Sequence, residues 1–147
     1  MSDRKAKKEL HGHALAALCL TTLLWTAGAD TPVADAAMRG EVEVVRTLLR
    51  QGSDANAAQG DGMTALHWAA ENGSMEITAM LVFAGANLEA ITRLGDYTPL
   101  HLASKAGQGG TAETLLEAGA NPNAVTSTGA AMPLHFAAAA GSAQTVT

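Results

Sequence analysis

Thr98-Pro99-Leu100-His101 decides the reading of this chain, because near-copies stand at Thr64-Ala65-Leu66-His67 and at Met132-Pro133-Leu134-His135. Glycines keep the same time, at Gly40, Gly73, Gly107 and Gly141, and again at Gly52, Gly85 and Gly119, in steps of 33 and then 34 residues. A fixed period of that length marks an array of stacked supersecondary units. A weaker first copy opens at Thr31-Pro32-Val33, with Ala34 where the histidine falls in the others.

Each copy reads as helix, turn, helix, turn. Thr98 suits an N-cap, and Pro99 suits the first helical position, where its missing N–H leaves no bond unmade. The small residues Ala103 and Ser104 follow Leu100 at helical spacing, giving a narrow face on which a neighbouring repeat packs closely. In the first copy Val42, Val45, Leu48 and Leu49 form the stripe of a second helix, which stops at Gly52, a residue at ease in left-handed C-terminal geometry. Thr-Pro-Leu-His, a helix-breaking glycine, a Leu115-Leu116 pair and Gly119-Ala120-Asn121 recur in phase. Together these segments, over residues 31–147, resemble ankyrin repeats. The resemblance implies an all-α fold, an ankyrin-repeat α-solenoid of about three full repeats plus a truncated fourth. Their bounds are about 31–57, 58–90 and 91–124, with 125–147 incomplete. It also implies a concave face of turn tips and first helices that holds another protein.

Departures from the pattern carry their own expectations. The first copy resembles an N-terminal capping repeat, so its outer face should be polar, as Glu41, Glu43, Arg46 and Arg50 suggest. Glu43 and Arg46 are placed to pair, for about 0.2–0.5 kcal/mol. Gly109-Gly110 opens the second helix of the third repeat, and each glycine costs about 1 kcal/mol relative to alanine in a helix interior. That helix is expected to fray at its start. The fourth copy lacks the capping threonine and stops at Thr147 without a second helix. The expectation is a truncated array, or an open end covered by a partner or by a second copy of the chain.

Residues 1–29 read as an address. Arg4, Lys5, Lys7 and Lys8 precede an uncharged, leucine-rich stretch that ends in Ala27-Gly28-Ala29, the pattern of a signal peptide cleaved after Ala29. The apolar part, Ala14 to Trp25, is shorter than the roughly 20 residues needed to cross a bilayer. No stable membrane insertion is therefore expected after cleavage. Leu18 before Cys19 does not fit a lipoprotein signal. Cleavage would remove the single cysteine and leave a chain, 30–147, with five basic and twelve acidic side chains. Such a balance argues against nucleic acid and for a protein partner carrying a basic patch. The predicted location is the periplasm or outside the cell.

The chain offers little chemistry. Repeat helices stack roughly 8–10 Å apart, whereas ligands of one zinc sit about 2 Å from the metal, so His67, His101 and His135 are not expected to share an ion. The resemblance gives them a structural role beside Thr64, Thr98, Pro99 and Pro133, bonded to the adjacent turn. Asp54-Ala55-Asn56 begins like a calcium loop, but Ala58 and Ala65 stand where further acidic ligands belong, so a turn is expected. Neither a phosphate-binding glycine loop nor a nucleophile elbow is present. No cofactor, metal or catalytic residue is assigned.

Turn tips carry little packing and are free to serve binding. The candidates there are Asp61 and Met63, then Arg93, Leu94, Asp96 and Tyr97, and the resemblance adds Glu71, Asn72 and Lys105 on the first helices, at positions that ankyrin repeats commonly direct at their targets. Arg93 and Tyr97 are of types favoured at binding hot spots. Trp68, Leu102 and Phe136 follow the three histidines in register and are expected to be core more than contact surface. The function expected is non-catalytic protein binding. The alternative is a fragment of a larger exported protein in which the repeats act as a spacer or targeting module. Association through the uncapped C-terminal end is a further expectation.

Overall fold

The computed structural model describes residues 30–141, so the leader read at 1–29 lies outside the described residues. Seven helices follow in order: α1 (Pro32–Met38), α2 (Val42–Arg50), α3 (Ala65–Asn72), α4 (Met75–Phe83), α5 (Pro99–Lys105), α6 (Gly109–Glu117) and α7 (Pro133–Ala140). Among the described residues none of them is long and apolar enough to cross a membrane.

The helices form two layers. First helices α1, α3, α5 and α7 pack on one another in sequence, and second helices α2, α4 and α6 do the same. Alanine makes the first layer close: Ala36, Ala37, Ala69, Ala70 and Ala103 are wholly buried. Leu66, Ile77, Leu81, Leu100 and Leu115 fill the space between layers. Burial of this kind contributes about 25 cal/mol per Å² of apolar surface and drives the stacking. Two buried hydroxyls, on Thr78 and Ser104, find no hydrogen-bond partner among the described residues. They stand in register with Val45 and Ala70, where earlier repeats carry no polar atom.

Proline begins α1, α5 and α7 at the first helical positions. The glycine pair also lies at a helix start, since α6 begins at Gly109. First-turn N–H groups lack intrahelical partners in any helix, so glycine costs less there than in an interior. At Gly110 the missing side chain has a further use, since a Cβ would come within 2.8 Å of Met75 Sδ on α4.

Polar bonds lock the repeats in register. Asn87 N–H donates to Asn56 Oδ1 (2.7 Å), and Asn121 N–H to Glu89 Oε1 (2.7 Å), each across one repeat. Asp54 Oδ1 accepts from Asn56 N–H (2.8 Å), which makes Asp54-Ala55-Asn56 a side-chain-closed turn. On the first repeat Arg46 pairs with Glu43, and also reaches Glu76 Oε1 on α4 at 2.6 Å.

Candidate functional site

The hairpins between repeats build the site. Gln59 N–H donates to Met63 O (2.9 Å), closing the first hairpin. Thr92 N–H donates to Tyr97 O (3.1 Å) and Thr126 N–H to Ala131 O (3.0 Å), closing two hairpins that are one residue longer. The extra residues are Asp96 and Ala130, and both take a left-handed φ, 53° and 50°. The change of period from 33 to 34 residues therefore resides in the hairpin tip. Adjacent hairpins are tied by backbone, Arg93 N–H to Asp61 O (2.8 Å) and Ser127 N–H to Gly95 O (3.2 Å). Gly62 permits the first tie: its φ is +85°, and a Cβ there would meet Arg93 N at 2.8 Å.

Histidines anchor the hairpins from below. Thr64 N–H donates to His67 Nδ1 (3.1 Å), and Thr64 Oγ1 lies 2.9 Å from the same nitrogen. With Nδ1 accepting from a backbone N–H, Nε2 carries the ring proton and donates to Tyr97 O at 2.9 Å. His101 repeats this with Thr98 N–H (3.1 Å) and Ala131 O (3.1 Å). Burial pushes both imidazoles below the ordinary histidine range, outweighing the bonds to carbonyls that favour the charged form. Both nitrogens of each ring are thus committed to the fold. His135 accepts from Met132 N–H (2.9 Å) but is exposed.

Above the histidines lies an aromatic cluster. The Tyr97 ring is 5.7 Å from that of Phe136 and 6.1 Å from that of His101, and Lys105 Nζ stands 5.4 Å from the Tyr97 centroid. Trp68 is half-buried and donates through Nε1 to Gln59 Oε1 (2.8 Å). Leu102 is buried, whereas Trp68 and Phe136 keep one side open. The ladder is neither wholly core nor wholly exposed.

A cleft of about 260 Å³ joins the first two hairpins to the first helices. Met63, Tyr97 and Leu102 make its apolar floor, with Thr92, and Asp61, Glu71 and Leu94 stand at its edge. Leu94 is 84% exposed. Five of the candidates read from sequence, Asp61, Met63, Glu71, Leu94 and Tyr97, thus meet in one place, with Lys105 over the tyrosine. Met63 departs from the expectation of a free turn tip: it is only 8% exposed, and its N–H is held by Asp61 Oδ1 (2.9 Å). Asn72 lies elsewhere, its amide donating to Ala37 O and Met38 O at 3.3 and 3.2 Å, so it ties α3 to α1. Arg93 is exposed and Asp96 half-buried in the hairpin. Thr92 escaped notice as a site residue, although Thr126 repeats it 34 positions on. Its hydroxyl accepts from Tyr97 N–H (3.1 Å) and donates to Leu94 O (2.9 Å), holding the two contact residues in place.

Paired helices in two layers, hairpins stacked edge to edge and a histidine under each of two hairpins define a helix-pair solenoid with an open groove. The chain belongs to the ankyrin-repeat family: the family model described as ankyrin repeats (3 copies) matches residues 16–92 and 33–126. The first match begins inside the stretch read as a leader. Ankyrin repeats are in general protein-interaction modules, and the fold is typically non-catalytic.

Proposed function

We propose that this chain is an exported, non-catalytic binding module that grips a protein partner between its hairpin tips and first helices. The observation that carries the reading is the cleft itself, an apolar floor of Met63, Tyr97 and Leu102 bordered by the carboxylates of Asp61 and Glu71. An apolar anchor buried in such a pocket supplies affinity, and flanking charge sets orientation and rate of encounter. The partner that fits carries an apolar side chain beside a lysine or arginine, on a basic surface. Support for export is the basic start, apolar run and Ala27-Gly28-Ala29 of the leader.

A photoreactive residue placed at Leu94 should form a covalent adduct with one such protein, and Tyr97→Ala should reduce adduct yield about tenfold, as for a hot-spot residue. An adduct indifferent to Tyr97→Ala would remove this cleft from the reading. Export is checked by the intact mass of chain recovered from the envelope fraction of a bacterial host. A species starting at Asp30 is the expected outcome, and full-length chain held in the cytoplasm would overturn that part alone.

A further inference from the structure

The second-helix layer carries a pattern that the binding cleft does not use. Helix α4 is apolar nearly all round, and Phe83 at its end is 95% exposed, with Met75 55% exposed at its start. A helix apolar on every face belongs in an interior. In register with Phe83 stand Arg50 on α2 and Glu117 on α6, and in register with Ala79 stand Arg46 and Glu113. At the helix ends the layer is therefore cationic at its first repeat (Arg50), apolar at its second (Phe83) and anionic at its third (Glu117), while at the helix starts the exposed carboxylates of Glu43 and Glu76 are both held by Arg46. A cleft of about 430 Å³ between α2 and α4, lined by Leu49, Arg50, Met80 and Phe83, lies on one side of that phenylalanine.

We propose that this layer docks on the same layer of a second copy of the chain, about a two-fold axis running along α4. That rotation turns one face onto the other, keeps helix direction and reverses the order of repeats. Phe83 then meets Phe83 of the second copy, and Arg50 meets its Glu117 at both ends of the contact. The charge order selects this occupant. A uniformly acidic partner would oppose Glu113 and Glu117, and a uniformly basic one would oppose Arg50. The second copy presents the reversed order that matches both ends, which is the self-complementarity an isologous interface requires. Arg46 is already engaged by Glu43 and Glu76, so Arg50 is the principal cation of the contact.

Sedimentation equilibrium of the full chain tests the proposal. A monomer–dimer equilibrium is expected, with the dissociation constant raised about 30-fold by Phe83→Glu, the effect of losing a central hot spot. Arg50→Glu and Glu117→Arg should each weaken association alone. Mixing the two variants should restore it, because each then offers the other opposite charges at both ends, and the double variant should dimerise like the parent. A chain monomeric at every concentration, a dimer indifferent to Phe83→Glu, or charge variants that mixing does not rescue would each overturn it. All the substituted side chains are exposed, so circular dichroism should show each variant folded.

Discussion

Pro-Leu-His occurs twice in this molecule with opposite fates. At Pro99-Leu100-His101 the leucine is 2% exposed and the histidine wholly buried, bonded to its own helix start and to the next hairpin. At Pro133-Leu134-His135 the leucine is 48% exposed and the histidine is exposed, its ring bonded among the described residues to Met132 N–H alone. The tripeptide is the same, and in both places its proline opens a helix. The difference lies in what stacks on it: among the described residues α5 has α7 and a hairpin over it, while nothing covers the far side of α7. The motif writes a helix start, and a neighbour converts that start into a core.

The contrast makes its strongest claim about side-chain removal. His67→Ala or His101→Ala leaves a cavity and orphans a buried N–H and carbonyl, so each should destabilise the fold by about 3 kcal/mol. His135→Ala should cost less than about 1 kcal/mol, the net worth of one exposed hydrogen bond. Urea midpoints decide it, and equal losses at His101 and His135 would erase the distinction.

Titration sharpens the same contrast. His67 and His101 are held below their ordinary value of 6.5 in the folded chain, chiefly by burial. An unfolded chain then binds protons first as pH falls, so stability is complete above about pH 6.5 and declines below it until the depressed folded values are reached. Urea unfolding at pH 8 and pH 5.5 should show the lower midpoint at the acid end. Imidazole proton shifts should show these two rings taking up their protons at lower pH than histidines of the unfolded chain. A midpoint unmoved by pH would contradict their neutral, buried state.

A smaller effect is expected from repair of the fourth copy. Met132→Thr restores the hydroxyl that Thr64 and Thr98 place against their histidines, at 2.9 and 2.8 Å. It should stabilise the chain by about 0.5–1 kcal/mol, the usual worth of a helix cap. Thermal unfolding measures it, and no gain would mean that the cap acts only where a neighbour shields it.

Much of this was legible in advance. Glycines in phase, prolines at helix starts and the histidine motif set the period, the helix-turn-helix unit and the all-α class, because caps and stops act over a few residues and leave their mark in composition. The period also sets Asp61 beside Leu94 and Met63 beside Tyr97, since stacked repeats put equivalent positions side by side, whereas the approach of Glu71 to them is seen only in the folded chain. Burial of Met63 was not legible: a residue one step past Asp61-Gly62 looks like a solvent-facing turn. Asp61 pins its N–H, and the next hairpin, through Arg93 N–H, closes over it. Asn72 likewise sits at a helix end that looks free, yet its amide spans to α1.

By itself, then, the sequence determined the unit: where helices begin and end, which glycines turn the chain, and that the units repeat. Those are local choices, made by dihedral preference and hydrogen bonds within a few residues. Only tertiary structure decided which histidines are neutral and buried, that the extra residue of each longer hairpin sits at Asp96 and Ala130, and that Phe83 stands bare between Arg50 and Glu117. The first and last of these depend on what the adjacent repeat presents across the stacking interface, and the second on the backbone of the closed hairpin itself. Exposure and protonation are properties of a side chain's surroundings, and those surroundings are assembled from residues about 30 positions away.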